Sequence, residues 1–491
     1  MLLATLLQGI SYTTNLSAAS QAQISFAELV TDSRKVQDKD VFVALKGLQH
    51  DGHQYLSQVA QKGVKVAIVN KDTAPELLIS ALDYIKVEDT NQILGVLAAN
   101  FYGNPSQNLK VIGITGTNGK TTTATLLYRL FSQLGFPCGL ISTIENKINQ
   151  KTIPSTHTTP DALSLQKLFY EMQEAGCAYC FMEVSSHASV QGRINGTHFS
   201  GAVFTNITHD HLDYHGTFDA YIAAKKRFFD ALQKLAFALV NADDKRAMVM
   251  LQNTAAKKYT YALKNMADFK ARIIEQSIEG MLLEIADKQV FSPMVGTFNA
   301  YNLLAVYAVA ILLGISEEEA LLGISTLLPA EGRFDYVRTT NGILGIVDYA
   351  HTPDALEKIL ETITHLRTGN EQVITVVGCG GNRDAAKRPI MAAVACAKSN
   401  KVILTSDNPR NEDPYTILAD MEKGISADKR ANVLIIENRR EAIRTACMLA
   451  NEGDIVLVAG KGHEKYQEIK GERFDFDDKT ELKNALNLQN S

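Results

Sequence analysis

The chain lacks a basic excess, a cysteine framework and a long apolar run, and each lack removes a class of function. Among 491 residues, 49 Lys and Arg stand against 54 Asp and Glu, a formal net charge of -5. An extended nucleic-acid surface needs a basic surplus or stripe, so no nucleic-acid partner is expected. Six cysteines in a chain of this length do not form a disulfide scaffold. Cys177 and Cys180 have Cys-x-x-Cys spacing, but no second such pair completes a zinc site, so they read as small buried apolar side chains. No segment reaches the roughly 18 uninterrupted apolar residues of a spanning helix. The nearest, Leu303 to Ile315, reads as a buried core helix. The opening MLLATLLQGI is apolar, but the first basic residue is Arg34, and a secretory signal starts with a positive region. The expectation is a cytoplasmic globular protein without a membrane partner. No internal repeat or low-complexity linker is visible.

Short Val- and Ile-rich runs alternate with helical stretches, the pattern of α/β domains. Strands are expected at DVFVAL, VKVAIVN, VIGIT, Cys180 to Val184, Ala202 to Thr205 and Phe237 to Val240. Four more are expected at Leu344 to Val347, Val373 to Val377, Val402 to Thr405 and Ile455 to Val458. At roughly 150 residues per domain the length implies about three domains. The divisions are drawn at 1–89, 90–334 and 335–491, the second after Gly332 and Arg333. Nearly every polar or Gly-rich cluster directly follows a strand: GTNGKTTT, SSH, NITHDHLD, DYAHTPD, GCGGNRD, SDNPR and AGKGHE. Ligands of open parallel sheets bind beyond the carboxyl ends of the strands, so two such edges facing each other would share one site.

GITGTNGKTTT, Gly113 to Thr123, lies between an expected strand and the expected helix Thr121 to Leu134. Gly116 and Gly119 let the backbone of Thr117, Asn118 and Thr122 turn its N–H groups towards an anion, and the helix N-terminus adds a favourable dipole. Lys120 can reach terminal phosphates and the Thr121 hydroxyl can ligate Mg2+. The match to G-x-x-x-x-G-K-[ST] is not strict, because Ile114 stands five positions before Gly119. Strand, turn, Lys-Thr and helix in order favour a triphosphate loop over a glycine turn with a solvated lysine.

EVSSH, Glu183 to His187, and NITHDHLDYHGT, Asn206 to Thr217, follow the next two strands. Carboxylate and imidazole beside a phosphate loop suit a divalent cation bridging ATP oxygens. The rival is a binuclear zinc hydrolase, whose H-x-H-x-D-H pattern fails here because Tyr214 stands in the last histidine's place. A purely structural histidine cluster is the third reading. Further on, GCGGNRDAAKRP looks like a dinucleotide fingerprint, but Arg383 occupies the third glycine position, which excludes a nicotinamide cofactor. In SDNPRNEDP the residue before Pro409 is pushed to extended backbone, leaving Arg410 to project. An arginine fork suits a carboxylate. AGKGHEKYQ adds a flexible glycine turn with Glu464, able to accept from an ammonium group. Together these describe a pocket for an amino acid.

TGTNGKTTT resembles the phosphate loop of the Mur ligases and their folylpolyglutamate synthetase relatives, and the resemblance extends over the whole chain. It implies three α/β domains: an N-terminal uridine-binding domain, a central P-loop ATPase-like domain with a mostly parallel sheet, and a C-terminal Rossmann-like domain that binds the amino acid. It implies that Glu183 and His211 bind a second Mg2+, supported by Lys225 as a carbamate (N6-carboxylysine), while Thr121 serves the first. Lys226 is the obvious misassignment. Asn302 in GTFNAYNLLAV would contact ATP, with Asn299 natural as a helix cap. Arg333 and Asp348 would hold the nucleotide from two sides of a hinge, with His351 in the same loop. Ser33 and the turn Gly47 to Gly52 would lie near the uridine nucleotide; Thr158, Thr159, Ser185, Gln191 and Arg193 would hold the muramoyl-peptide.

DNPR resembles the selectivity motif of the family branch that adds meso-2,6-diaminopimelate, and by that match Arg388, Asp407, Asn408, Pro409, Arg410, Gly460 and Glu464 form the amino-acid pocket. The activity implied is an ATP-dependent amide ligase of peptidoglycan precursor synthesis, acting through an acyl phosphate and acting as a monomer on small-molecule substrates. The alternatives are a sister ligase using L-lysine or a folate-type substrate, and a non-catalytic nucleotide-binding protein on the same scaffold.

Overall fold

A computed structural model describes residues 1–47 and 50–487. Its sheets follow the expected alternation. In the first unit, Val41–Val43 and Val66–Asn70 lie parallel between Leu29–Val30 and Asp83–Val87, with Thr13–Thr14 antiparallel at the edge. The helix Thr90–Phe101 follows, and its Leu94 and Leu97 pack with Leu3, Leu6, Val41 and Ile68 in the core of that first sheet. This helix lies just beyond the expected division at residue 89. Asp89 caps it by accepting from the N–H groups of Asn91 and Gln92.

The central sheet is larger than the sequence reading drew it. Lys110–Thr115 sits between Tyr179–Glu183 and Phe199–Phe204, all parallel, and every one of these strands is buried. Burial on both faces explains their near-continuous hydrophobic runs. Phe237–Asn241 and Lys257–Ala262 extend the parallel part. Two antiparallel margins, Phe269–Ser277 through Ser292 and Glu145–Pro154, were not foreseen. Their half-exposed, polar-rich alternation carries a weaker signal than a buried Val/Ile run. Thr297–Leu312 crosses the sheet with Leu303, Leu304, Val306 and Val309 wholly buried, the core helix that the sequence implied.

In the third unit Leu344–Asp348, Ile455–Ala459, Val373–Cys379 and Lys401–Ser406 are parallel neighbours in that order. Asp335–Arg338 joins antiparallel at one edge. The clusters DYAHTPD, GCGGNRD, SDNPR and AGKGHE leave the carboxyl ends of these strands, and DYAHTPD meets the phosphate-loop edge of the central sheet across a gap. Contacts cross that gap directly: Asn118 Nδ2 donates to Asp354 Oδ2 at 2.9 Å, and an Arg333 N–H to Thr121 Oγ1 at 3.3 Å. All six cysteines are buried and no disulfide joins them, as expected of Cys177 and Cys180 in particular. Among the described residues, no helix is long and apolar enough to cross a membrane.

Candidate active site

The phosphate loop joins Lys110–Thr115 to the helix Lys120–Gln133. Gly116 and Gly119 have φ of 155° and 88°. A Cβ at Gly116 would lie 1.9 Å from Thr205 Oγ1, and one at Gly119 2.7 Å from Asn302 Oδ1, so glycine is required at both by space as well as backbone. The loop is braced from the next strand end. Thr205 Oγ1 donates to Asn118 O at 2.6 Å, and Asn118 N–H donates to Asn206 Oδ1 at 2.9 Å. Lys120 folds back, its ammonium donating to the carbonyls of Gly116 and Thr117 at 2.9 Å each. Burial lowers its pKa, against the opposing pull of Glu183 and Asp210.

Glu183 ends the strand Tyr179–Glu183 and is wholly buried. Its Oε1 accepts from Thr143 N–H at 2.7 Å, while Oε2 is buried with no hydrogen-bond partner among the described residues. An uncompensated carboxylate oxygen is costly, and a hard cation is the natural group to complete it. Lys225, on the helix Phe218–Asp230, is 1 % exposed and donates to Gly116 O at 2.9 Å. Its ammonium stands 4.6 Å from the Tyr221 ring centre. Burial, reinforced by Lys120, holds its pKa well below the usual lysine range. Its neighbour Lys226 points outward and pairs with Asp230 at 2.6 Å, so the two lysines occupy distinct environments. His211 has a left-handed backbone, φ 54°, which turns its ring back between Asp210, 3.4 Å away, and His187. Among the described residues no group of three or more His, Cys, Asp or Glu side chains is gathered for a metal. The expected set contains only two of these, Glu183 and His211, with Lys225 and Thr121.

The residues expected for the muramoyl-peptide surround Glu183. Thr159 Oγ1 donates to Glu183 O at 2.8 Å and accepts from Ser185 N–H at 3.1 Å. Arg193 donates to Thr159 O and to Gln191 Oε1, and Thr158 accepts from Thr143. Ser33 belongs to the first unit, where its carbonyl accepts from Lys62. Of the turn at 47–52, residues 48 and 49 lie outside the described residues.

A cavity of about 450 Å³ opens beside the loop, with Asn118, Gly119 and Asn302 on one wall and Arg333, Asp348 and Tyr349 on the other. Arg333 stacks 4.5 Å from the Tyr349 ring centre. Burial pushes the Asp348 carboxyl up to about 6, although it accepts from Phe334 N–H at 2.7 Å and lies near Arg333. Asn299 does not cap its helix. Gly296 holds the cap position, and Asn299, one turn in, donates to Val295 O at 2.8 Å and accepts from Asn302 at 3.1 Å.

The amino-acid loops form a separate cluster. Arg388 is buried between Glu412, 2.7 Å, and Asp420, 2.9 Å. Asn408 donates to Glu464 at 2.7 Å and accepts from Lys461 Nζ at 2.9 Å. A Cβ at Gly460 would lie 2.6 Å from Asp407 Oδ2. Arg410 follows Pro409 but does not project freely: its φ is 52°, it donates to Gly381 O at 2.8 Å, and Glu468 lies 3.5 Å from its Nε. The expectation that Arg410 projects fails because its guanidinium is held by the Gly381 carbonyl and by Glu468 of the neighbouring strand. Three residues of the cleft went unmarked in the sequence. Asp210 lies within electrostatic reach of Lys120, Lys225 and Lys387; Asp354 meets the phosphate loop; Lys461 is wholly buried against Glu464 at 3.0 Å. All three stand inside motifs marked in the sequence, NITHDHLD, DYAHTPD and AGKGHE, so composition of the motif was the available signal.

The chain matches three domain families: residues 25–102 the catalytic domain of the Mur ligase family, 114–310 the Mur ligase middle domain, and 332–462 the Mur ligase glutamate ligase domain. It is 54% identical over 472 residues to a UDP-N-acetylmuramoyl-L-alanyl-D-glutamate--2,6-diaminopimelate ligase of Cytophaga hutchinsonii, covering 96% of each chain. It is 52% identical to the protein of that name from Phocaeicola vulgatus, covering 99% of each. A solved structure of a ligase with this name superposes at a TM-score of 0.69 with 35% identity, covering 97% of this chain and 98% of that one. The fold is shared with a MurF ligase of Thermotoga maritima in complex with ADP, at a TM-score of 0.62, 19% identity and coverage of 89% and 94%. The chain belongs to the Mur ligase family.

Proposed function

We propose that the chain is an ATP-dependent ligase that joins meso-2,6-diaminopimelate to the D-glutamyl γ-carboxylate of UDP-MurNAc-L-Ala-D-Glu, a step in peptidoglycan precursor synthesis. The observation that carries this reading is similarity over nearly the whole length to ligases of that name. The chemistry starts from a carboxylate, which is a poor acyl donor. Its oxygen attacks the γ-phosphorus of ATP; the bond to the ADP oxygen breaks, leaving an acyl phosphate. The amine of diaminopimelate then attacks the acyl carbon, and inorganic phosphate leaves from the tetrahedral intermediate.

Such a transfer depends mainly on positioning and on charge placed where it develops. Gly116, Thr117, Asn118, Gly119 and Thr122 offer backbone to the phosphates, and Lys120 offsets charge on the transferring group. Asn302, Arg333 and Asp348 line the nucleotide cavity. Two Mg2+ ions fit the donor set, Thr121 for one and Glu183, His211 and Lys225 for the other. Bound Mg2+ would supply positive charge to the phosphoryl oxygens. Burial disfavours the charged form of Lys225 and so favours the free amine, the form that takes up CO2 as a carbamate. Thr158, Thr159, Ser185, Gln191 and Arg193 would set the D-glutamyl end beside Glu183, with Ser33 at the uridine end.

Arg388, Asp407, Asn408, Pro409, Arg410, Gly460 and Glu464 would receive the diamino acid, Arg410 its far carboxylate and Glu464 an ammonium. The divisions 1–89, 90–334 and 335–491 assign uridine, nucleotide and amino-acid binding to successive units, within a cytoplasmic monomer. The test is phosphate release from ATP and the dipeptide nucleotide, with meso-diaminopimelate or L-lysine in parallel. Release with diaminopimelate and the matching mass gain is expected. Release with lysine alone would transfer the chain to a sister activity, and release with neither would overturn the reading.

A further inference from the structure

The two amino-acid loops leave two strands that are not neighbours. Asp407 follows Lys401–Ser406 and Gly460 follows Ile455–Ala459, with Val373–Cys379 between them. Beneath both lies Arg439, the first residue of the helix Arg439–Leu449, its side chain wholly buried. Its Nε and Nη2 donate to the two carboxylate oxygens of Asp478 at 2.7 Å each. Nη2 donates also to Ala459 O at 3.0 Å, and Nη1 reaches Ser406 O at 3.5 Å. These carbonyls belong to the residues immediately before Gly460 and Asp407. The fork therefore ties the ends of both ligand-bearing strands to one rigid plane.

Stability alone does not call for this arrangement. A buried ion pair is often matched or bettered by apolar side chains of similar volume, because both charges must leave water. A planar guanidinium with donors in fixed directions does what apolar packing cannot: it sets a distance between two backbone segments. The cation also lies within electrostatic reach of Asp407 and Glu464. Burial and Asp407 both favour the neutral form of Glu464, and Lys461 and Asn408 oppose them. Resting on the diaminopimelate reading above, we propose that Arg439, held by Asp478, is a positioning residue of the amino-acid subsite. It fixes the spacing of the loops that begin at Asp407 and Gly460, and so the carboxylate pair Asp407 and Glu464 that meets the ammonium of the incoming amino acid.

A natural control lies one residue on. Arg440 pairs with Glu481 at 2.9 Å, joining the same two helices at the surface without touching either loop. The experiment compares the full-length wild type with Arg439→Lys, the double variant Arg439→Met with Asp478→Leu, and Arg440→Ala, by steady-state phosphate release. The double variant leaves no buried charge unpaired and carries the test if Arg439→Lys folds poorly. KM for diaminopimelate is expected to rise about tenfold or more in both Arg439 variants, the scale of small misplacements at a reacting centre. KM for ATP is expected to stay put, kcat to change less than KM, and Arg440→Ala to match the wild type. A folded double variant with wild-type KM for diaminopimelate overturns the inference. So does an equal rise in KM for ATP, or an equal effect of Arg440→Ala, since either would mean general loosening. Should the wild type use lysine alone, the reading of Arg410 fails and the same KM comparison, made with lysine, still decides the role of Arg439.

Discussion

Two clusters of charged groups face each other across the cleft, and they differ in what they leave unmatched. Around the phosphate loop, among the described residues, Glu183 has a buried oxygen without a hydrogen-bond partner, and Lys225 donates to a carbonyl beside an aromatic ring with Asp210 only within electrostatic reach. Around SDNPR, Arg388 has two carboxylates, Glu464 has Lys461 and Asn408, and Arg410 has Glu468. The first cluster leaves a carboxylate oxygen that a bound cation would complete. In the second the charges are paired within the protein, although Arg388 Nε is buried without a hydrogen-bond partner among the described residues, and a ligand would have to exchange partners with those pairs. An incomplete site loses its function when one member goes; an exchanging site loses preference.

That contrast is open to breaking, and the sharpest attempt is Lys225→Ala. It removes a buried amine that, among the described residues, is in no ion pair, so the fold should survive while kcat falls about 10²–10³-fold, the scale of losing one transition-state charge contact. A folded variant with kcat near the wild type would show that the first cluster is structural. Arg410→Ala is the next largest. KM for diaminopimelate should rise on the order of 10–100-fold, as expected for losing a hydrogen bond to a charged group, while any residual use of L-lysine stays unchanged. Equal losses with both amino acids would erase the distinction between the clusters.

The smallest effect concerns Asp348, which burial holds up to about 6 from an ordinary 3.8. Between those values the folded chain binds more proton there than the unfolded chain, so stability falls as pH rises through the window. Asp348→Asn should therefore match the wild type in thermal midpoint near pH 4 and exceed it by roughly a few degrees above pH 6. The same variant should bind ATP more weakly, which separates a group kept for its ligand from one kept for the fold. A pH-independent difference in midpoint would refute this account.

The two clusters were also unequally legible in the sequence. Gly116, Gly119, Lys120 and Thr121 lie within six residues, where backbone conformation, space and charge are all local demands. Asp407 to Arg410 form another short word. Arg439 and Asp478 are fully buried partners from separate helices, and nothing in ENRREAI marks one arginine as buried and the next as exposed. Lys461 was hidden in AGKGHE, where the glycines drew the reading to a flexible turn and its burial is decided by Asn408 and Glu464 from elsewhere. Asn299 misled for the opposite reason. Its residue type favours a cap, but Gly296, with φ 98°, turns the chain three residues earlier. Ten parallel strands were legible because burial on both faces leaves unbroken apolar runs; the four-residue Cys138–Ile141 is buried too, but it was too short to stand out. The antiparallel margins were not legible, because one wet face breaks the run.

One contact far from both clusters has a consequence of another kind. A Cβ at Gly95, within the helix Thr90–Phe101, would lie 2.1 Å from Asn195 O, and one at Gly196 would lie 2.5 Å from Gly95 O. Here main chain rests on main chain, and Asn195 adds a donation to Gln92 O at 2.8 Å. Main chain has no rotamers with which to yield. The offset between the unit that holds Ser33 and the strand that ends in Glu183 is thereby set like a gauge block, by two side chains that are not there.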